Sequence, residues 1–71
     1  MNREEVPTIR LSQFLKWKGL CGTGGEAKIR IREGEVAVNG AVEMRRGRVL
    51  RNGDRVVFDG EEHIVALAED S

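Results

Sequence analysis

Apolar residues recur with two different periods along this chain, a helical period in the first half and a period of two in the second. Leu11, Phe14 and Leu15 fall at i, i+3 and i+4, which predicts a helix with one buried face. Ser12 stands near its start and Gly19 at its stop, and Leu20 is placed to fold back over the last turn. Ala27 and Ile31, four apart, predict a second helix, with Lys28 and Arg32 along an adjoining stripe and Ile29 facing away as an exposed apolar residue. The run Lys28-Ile29-Arg30-Ile31-Arg32 also alternates strictly, as a strand does. The Gly24-Gly25-Glu26-Ala27 start and the Glu33-Gly34 stop are helix punctuation and favour the helix.

Beyond Gly34 the period is two. Glu35-Val36-Ala37-Val38 reads as a half-buried strand, and Asn39-Gly40 is the dipeptide preferred in a two-residue hairpin turn. Val42 and Met44 alternate with Glu43 and Arg45 as a short returning strand, and Val49-Leu50 returns to the core. Asn52-Gly53-Asp54 signals a turn before the strand Arg55–Phe58. Asp59-Gly60 then closes a hairpin with a strand from about Glu62 to Leu67, acidic outside and apolar inside. The expected fold is α+β, two N-terminal helices packed on a small, mostly antiparallel sheet. Residues 1–8 form a frayed terminus that becomes extended near Val6 to Ile9, residues 9–68 the domain, and residues 69–71 a tail.

Seventy-one residues make one small domain, with no room for a catalytic cleft between domains, so an enzyme is not expected. Cys21 is the single cysteine, which excludes an internal disulfide and a cysteine zinc site. No apolar run is long enough for a membrane span, and Met-Asn-Arg-Glu-Glu lacks the layout of a secretory signal. The expectation is a cytoplasmic protein with no membrane partner, no small-molecule substrate and no cofactor.

The net charge is zero, but it is unevenly distributed. Arg10 to Asp54 holds ten lysines and arginines against five acids, a surplus of five balanced by the acidic ends. A one-faced site for a polyanion is one reading of that segregation, and simple solvation of each charge is the other. The densest cluster is Arg45-Arg46-Gly47-Arg48, where Glu43 is the only acid close by in sequence. Arginine's planar fork suits phosphate oxygens. The alternative is a solvated loop whose arginines pair with the acidic C-terminal segment.

In the first helix Lys16 projects opposite the buried face, whereas Lys18 flanks that face and directs its charge outward. Trp17 between them could stack on a base, but a large residue covering the side of a small core is the favoured reading. Thr23 is placed to cap the second helix, leaving the amides of Gly24 and Gly25 able to face an anion such as phosphate. Gly19 to Gly24 has the glycine spacing of a nucleotide-binding P-loop, yet Gly25-Glu26 stands where Lys-Ser/Thr is required. Nothing in the spacing supports a nucleophile and base made of Cys21 and His63, and a lone histidine at an exposed strand position is the simpler reading.

The order of these elements resembles a known module. Gly34-Glu35-Val36-Ala37-Val38-Asn39-Gly40 and the later Gly53-Asp54, preceded by two helices, resemble the RNA-binding domain first described in ribosomal protein S-four, the αL motif, over roughly Ile9 to Phe58. Phe14-Leu15-Lys16, Gly24-Gly25-Glu26-Ala27-Lys28 and Glu43-Met44-Arg45-Arg46-Gly47 are similar to its stand-alone bacterial branch, often called YbcJ- or YaaA-like. The resemblance implies a compact α+β domain that binds structured RNA through its two-helix face and adjoining loops. Implied contacts fall on Lys16, Lys28, Arg45 and Arg46, with Gly24 and Gly25 allowing close backbone approach.

The expected function is a non-catalytic RNA-binding module. It lays Lys16, Lys18, Lys28, Arg32 and the Arg45–Arg48 loop, with Thr23, Gly24 and Gly25, along phosphates of ribosomal or transfer RNA, by itself or in ribosomal particles. The competing expectation is a protein-interaction adaptor presenting Ile29, Trp17 and the same basic face to an acidic partner.

Overall fold

The computed structural model describes residues 7–67. A short strand, β1 (Thr8–Arg10), runs directly into α1 (Leu11–Trp17), whose Leu11, Phe14 and Leu15 are fully buried, as the i, i+3, i+4 spacing requires. Ser12 does not cap this helix. Arg10 holds the cap position, and the first amides are satisfied from far along the chain: Leu11 N–H donates to the Arg48 carbonyl at 2.8 Å and Ser12 N–H to that of Arg46 at 3.2 Å. At the other end Gly19 takes a left-handed φ of +76°, and Leu20 and Cys21 donate back to the Leu15 carbonyl. Leu20 packs against the core and Cys21 lies within it.

The second helix, α2 (Gly24–Arg32), settles the ambiguity of the alternating Lys28–Arg32 run. Thr23 caps it by accepting from Glu26 N–H at 3.0 Å. Ala27 and Ile31 are buried, and Ile29 points outward. Gly34, at φ +79°, ends the helix and turns the chain into β2 (Val36–Val38).

Two antiparallel sheets follow, where the sequence pattern predicted one. β1 pairs with β4 (Val49–Arg51), aligning Ile9 with Leu50. The other sheet has the order β3-β2-β5-β6, with β3 at Ala41–Val42, β5 at Arg55–Phe58 and β6 at Glu61–Ile64. Val36 faces Phe58 and Val38 faces Val56 across β2 and β5, all on the core side. Helices and strands thus share one core of Leu11, Phe14, Leu15, Ala27 and Ile31 with Val36, Val38, Leu50, Val56, Phe58 and Val65.

The motif residues hold the sheet together. Asn39, at φ +53°, donates through Nδ2 to Asp54 Oδ1 at 3.2 Å and accepts through Oδ1 from Arg55 N–H at 2.9 Å. Asp54 Oδ2 in turn accepts from Arg51 N–H at 2.9 Å. That bond, followed by the one from Asn39 and the nearby Arg48 and Arg51 charges, holds the Asp54 carboxyl below its ordinary pKa despite partial burial. The Asn39-Gly40 turn and the Gly53-Asp54 turn, with Asn39 and Asp54 fifteen residues apart, are therefore one hydrogen-bonded unit.

Several expectations fail for identifiable reasons. A returning amphipathic strand would bury Val42 and Met44, but both are exposed and Glu43 between them is buried, because two arginines draw its carboxylate inward. The last strand stops at Ile64; Val65 leaves the ladder to exchange backbone hydrogen bonds with Gly53 and Asp54. His63 lies on the core side of β6 opposite Val56, half-buried rather than exposed. Trp17 does not cover the core: it is 57% exposed, with its ring centroid 6.1 Å from that of Phe14. The expectations for the extreme N-terminus and the tail lie outside the described residues.

Candidate nucleic-acid interface

The segment Glu43–Arg48 is held by two sets of contacts. Its backbone is fixed at Arg46 and Arg48 by the first amides of α1, and the Arg10 guanidinium donates to the Gly47 carbonyl at 3.4 Å. Its side chains converge on the Glu43 carboxylate, which is only 7% exposed. Arg45 donates to it through backbone N–H, Nε and Nη2 at 3.1, 2.9 and 3.3 Å, and Arg48 through Nη1 at 2.6 Å. The Arg45 side chain, followed by Arg48 and the Arg45 amide, lowers the Glu43 pKa to about 2 against the opposing effect of burial.

The pairing partner is therefore the one acid close by in sequence. Two of the loop arginines, Arg45 and Arg48, share the single charge of Glu43, and no described residue of the acidic C-terminal segment pairs with the loop. Of the three, Arg46 alone has no ion pair among the described residues. Arg45 nevertheless keeps 77% of its side chain exposed, so the edge of its guanidinium turned away from Glu43 stays accessible.

α2 supplies the facing wall. Lys28 and Arg32 are four apart on one stripe and have no ion pair among the described residues. Arg30 projects elsewhere and is paired, at 2.8 Å from Glu35 and 3.9 Å from Glu26. Lys28 and Arg32 come together with Met44, Arg45, Arg46 and Gly47 around an open groove of about 320 Å³. Four cations from two separate stretches thus share one depression, three of them without a carboxylate partner among the described residues. With three of its four cations uncompensated among the described residues, such a groove attracts anions, and phosphate oxygens match both arginine forks and the lysine point charge.

The remaining candidates are not gathered there. Lys16 and Lys18 lie at the end of α1 and do not line the groove; Lys18 Nζ stands 5.7 Å from the Trp17 ring centroid. Arg48 sits behind the groove, committed to Glu43. Thr23, Gly24 and Gly25 mark the N-terminus of α2, where the Glu26 carboxylate already accepts from Gly22 N–H at 2.9 Å. Gly24 precedes Lys28 by one helical turn, and a Cβ there would meet nothing within 4 Å, so the stripe from Gly24 through Lys28 to Arg32 is unobstructed. Two contributors escaped sequence reasoning. Arg10 reaches the loop only through the β1–β4 pairing, which no local pattern signals, and Met44 enters the groove because its neighbour Glu43 turns inward.

Known proteins resemble this chain along most of its length. A family model described as the S4 domain matches residues 3–66. The chain is 43% identical over 54 residues to "Putative RNA-binding protein YbcJ" of Escherichia coli (strain K12), covering 76% of this chain and 77% of that protein. It is 46% identical over 56 residues to "Probable ribosome maturation protein RlbA" of Bacillus subtilis (strain 168), covering 79% of each. These matches bear out the resemblance read from the Gly34–Gly40 and Gly53-Asp54 motifs.

Proposed function

The chain belongs to the S4 domain family, and on that premise we propose that it is a non-catalytic module that binds structured RNA by seating phosphates in the groove between α2 and the Met44–Gly47 segment. The observation that carries this reading is the convergence there of Lys28, Arg32 and Arg46 without carboxylate partners among the described residues. Arg45 adds a guanidinium edge, and Gly24 and Gly25 leave the neighbouring backbone open to approach. We place Lys16, Lys18 and Thr23 at the margin of the contact, and assign Arg48 to holding Glu43. We place its ligand among ribosomal or transfer RNAs, free or in ribosomal particles, in the cytoplasm; relatives named for RNA binding and for ribosome maturation support an RNA or ribosomal partner.

The test replaces Lys28, Arg32 and Arg46 together by glutamine and measures affinity for a structured ribosomal RNA fragment over a salt series. Reversing Arg45, Arg46 and Arg48 to glutamate is the poorer choice, because it would strand the buried Glu43 among like charges. Neutralising about three or four phosphates predicts a log-log salt slope of roughly −2 to −4 for the parent. The triple variant should lose about two to three units of that slope while keeping the fold. Equal affinity and slope in both proteins would remove the groove from the contact.

A second reading, an adaptor for an acidic protein, is favoured by the exposure of Trp17 and Ile29 beside the basic face. It predicts a protein partner that survives nuclease treatment and is released by high salt, whereas the RNA reading predicts that nuclease releases every companion.

A further inference from the structure

One property of the groove is not explained by phosphate binding. Met44 lines it among the cations and is 58% exposed. A surface that reads only phosphates has no use for an apolar side chain among its cations. Here the Glu43 carboxylate is turned inward to its arginines while the next residue, Met44, stands exposed on the groove wall. Gly47 contributes only backbone to the lining, its Cβ position facing the Arg10 guanidinium rather than Met44, so no side chain of Gly47 covers the methionine. A ligand matching both features carries negative charge on its backbone and a flat, weakly polar body between the charges. In a continuous RNA duplex the base faces are stacked away from any protein surface, and only an unpaired nucleotide can offer one.

We infer that the groove is a seat for an unpaired nucleotide of the bound RNA, with the base against Met44 and the flanking phosphates against Lys28, Arg32 and Arg46. This deepens the RNA-binding reading and rests on it. Methionine suits such a contact because its thioether is polarizable, packs favourably on aromatic rings and adapts to either purine or pyrimidine. The seat therefore distinguishes shape, a helix with a bulge or junction against one without, more than sequence.

The probes are an RNA hairpin with a fully paired stem and the same hairpin carrying one unpaired adenosine within the stem. They are titrated against the parent, Met44→Ala and Met44→Leu. The parent should bind the bulged hairpin about two- to tenfold more tightly, the range that sulfur–aromatic contact supplies. Met44→Ala should lose that preference and bind the two hairpins equally, and Met44→Leu, which keeps an apolar side chain without the sulfur, should show an intermediate preference. Met44 is exposed, so neither substitution threatens the core. No preference in the parent, or a preference untouched in Met44→Ala, with binding itself intact, would overturn the nucleotide seat and leave the RNA-binding reading standing. Failure of the parent to bind either hairpin would overturn both.

Discussion

Glu43 anchors the arginine loop. Both of its carboxylate oxygens accept from arginine side chains, so its charge is needed in the folded state and is costly to neutralise. Its folded pKa of about 2 lies below that of an unfolded glutamate. Its stabilising contribution is therefore complete above about pH 4.5 and is lost as the pH falls towards 2. Discounted for the exposure of Arg45, that contribution is on the order of 2 kcal/mol. Glu43→Gln should lower stability by about that amount at neutral pH, and the difference in urea unfolding between the two proteins should shrink steadily from about pH 4.5 towards pH 2, where half of the parent's carboxylate is protonated. Parallel curves over the whole range would show that the pair adds nothing. Gly24 offers a contrasting test. An added Cβ meets open space, so Gly24→Ala should be neutral or stabilising by up to about 1 kcal/mol, yet weaken RNA binding if backbone approach there is used. The role of Gly24 was legible in the sequence, but that of Glu43 was not: a glutamate between two apolar residues looks solvent-facing until the arginines that bury it are placed.

Among the elements, the two motif turns act as one. Asn39 supplies a left-handed turn residue and the side-chain link from the β2–β3 hairpin to Asp54 and Arg55. Asn39→Ala should cost about 2 kcal/mol, through lost hydrogen bonds and backbone strain, whereas Asn39→Gly should recover the strain and lose only the bonds. Chemical denaturation of the pair separates the two terms, and equal losses would place the whole effect in the hydrogen bonds. The helices were legible because Leu11, Phe14 and Leu15, and then Ala27 and Ile31, repeat at helical spacing beside clear glycine stops. The Asn39-Gly40 and Asp59-Gly60 turns were legible for the same local reason. The β1–β4 sheet was not, because its pairing joins segments far apart in the chain and neither strand exceeds three residues. That sheet is nevertheless what sets the arginine loop against the start of α1.

For the molecule as a whole, the arrangement of cations matters more than their number. A net charge of zero conceals a groove with three unpaired cations among the described residues, while the cationic Arg30, Arg45, Arg48 and Arg55 each meet a carboxylate. The sequence showed that the middle of the chain is basic, and Lys28, Arg32, Arg45 and Arg46 were identifiable from it. It did not show which cations would remain without a partner, since that depends on where Glu35 and Glu43 turn in space. The acidic β5–β6 hairpin contributes no residue to the groove, so the two regions make opposite predictions for a polyanion. Amide chemical shifts followed during titration with a structured ribosomal RNA fragment test this most directly. Shifts concentrated at Lys28–Arg32 and Met44–Arg48, with Arg55–Ile64 unmoved, are the expected result. Shifts centred on Arg55–Ile64, or spread evenly over the domain, would contradict a single basic seat for RNA.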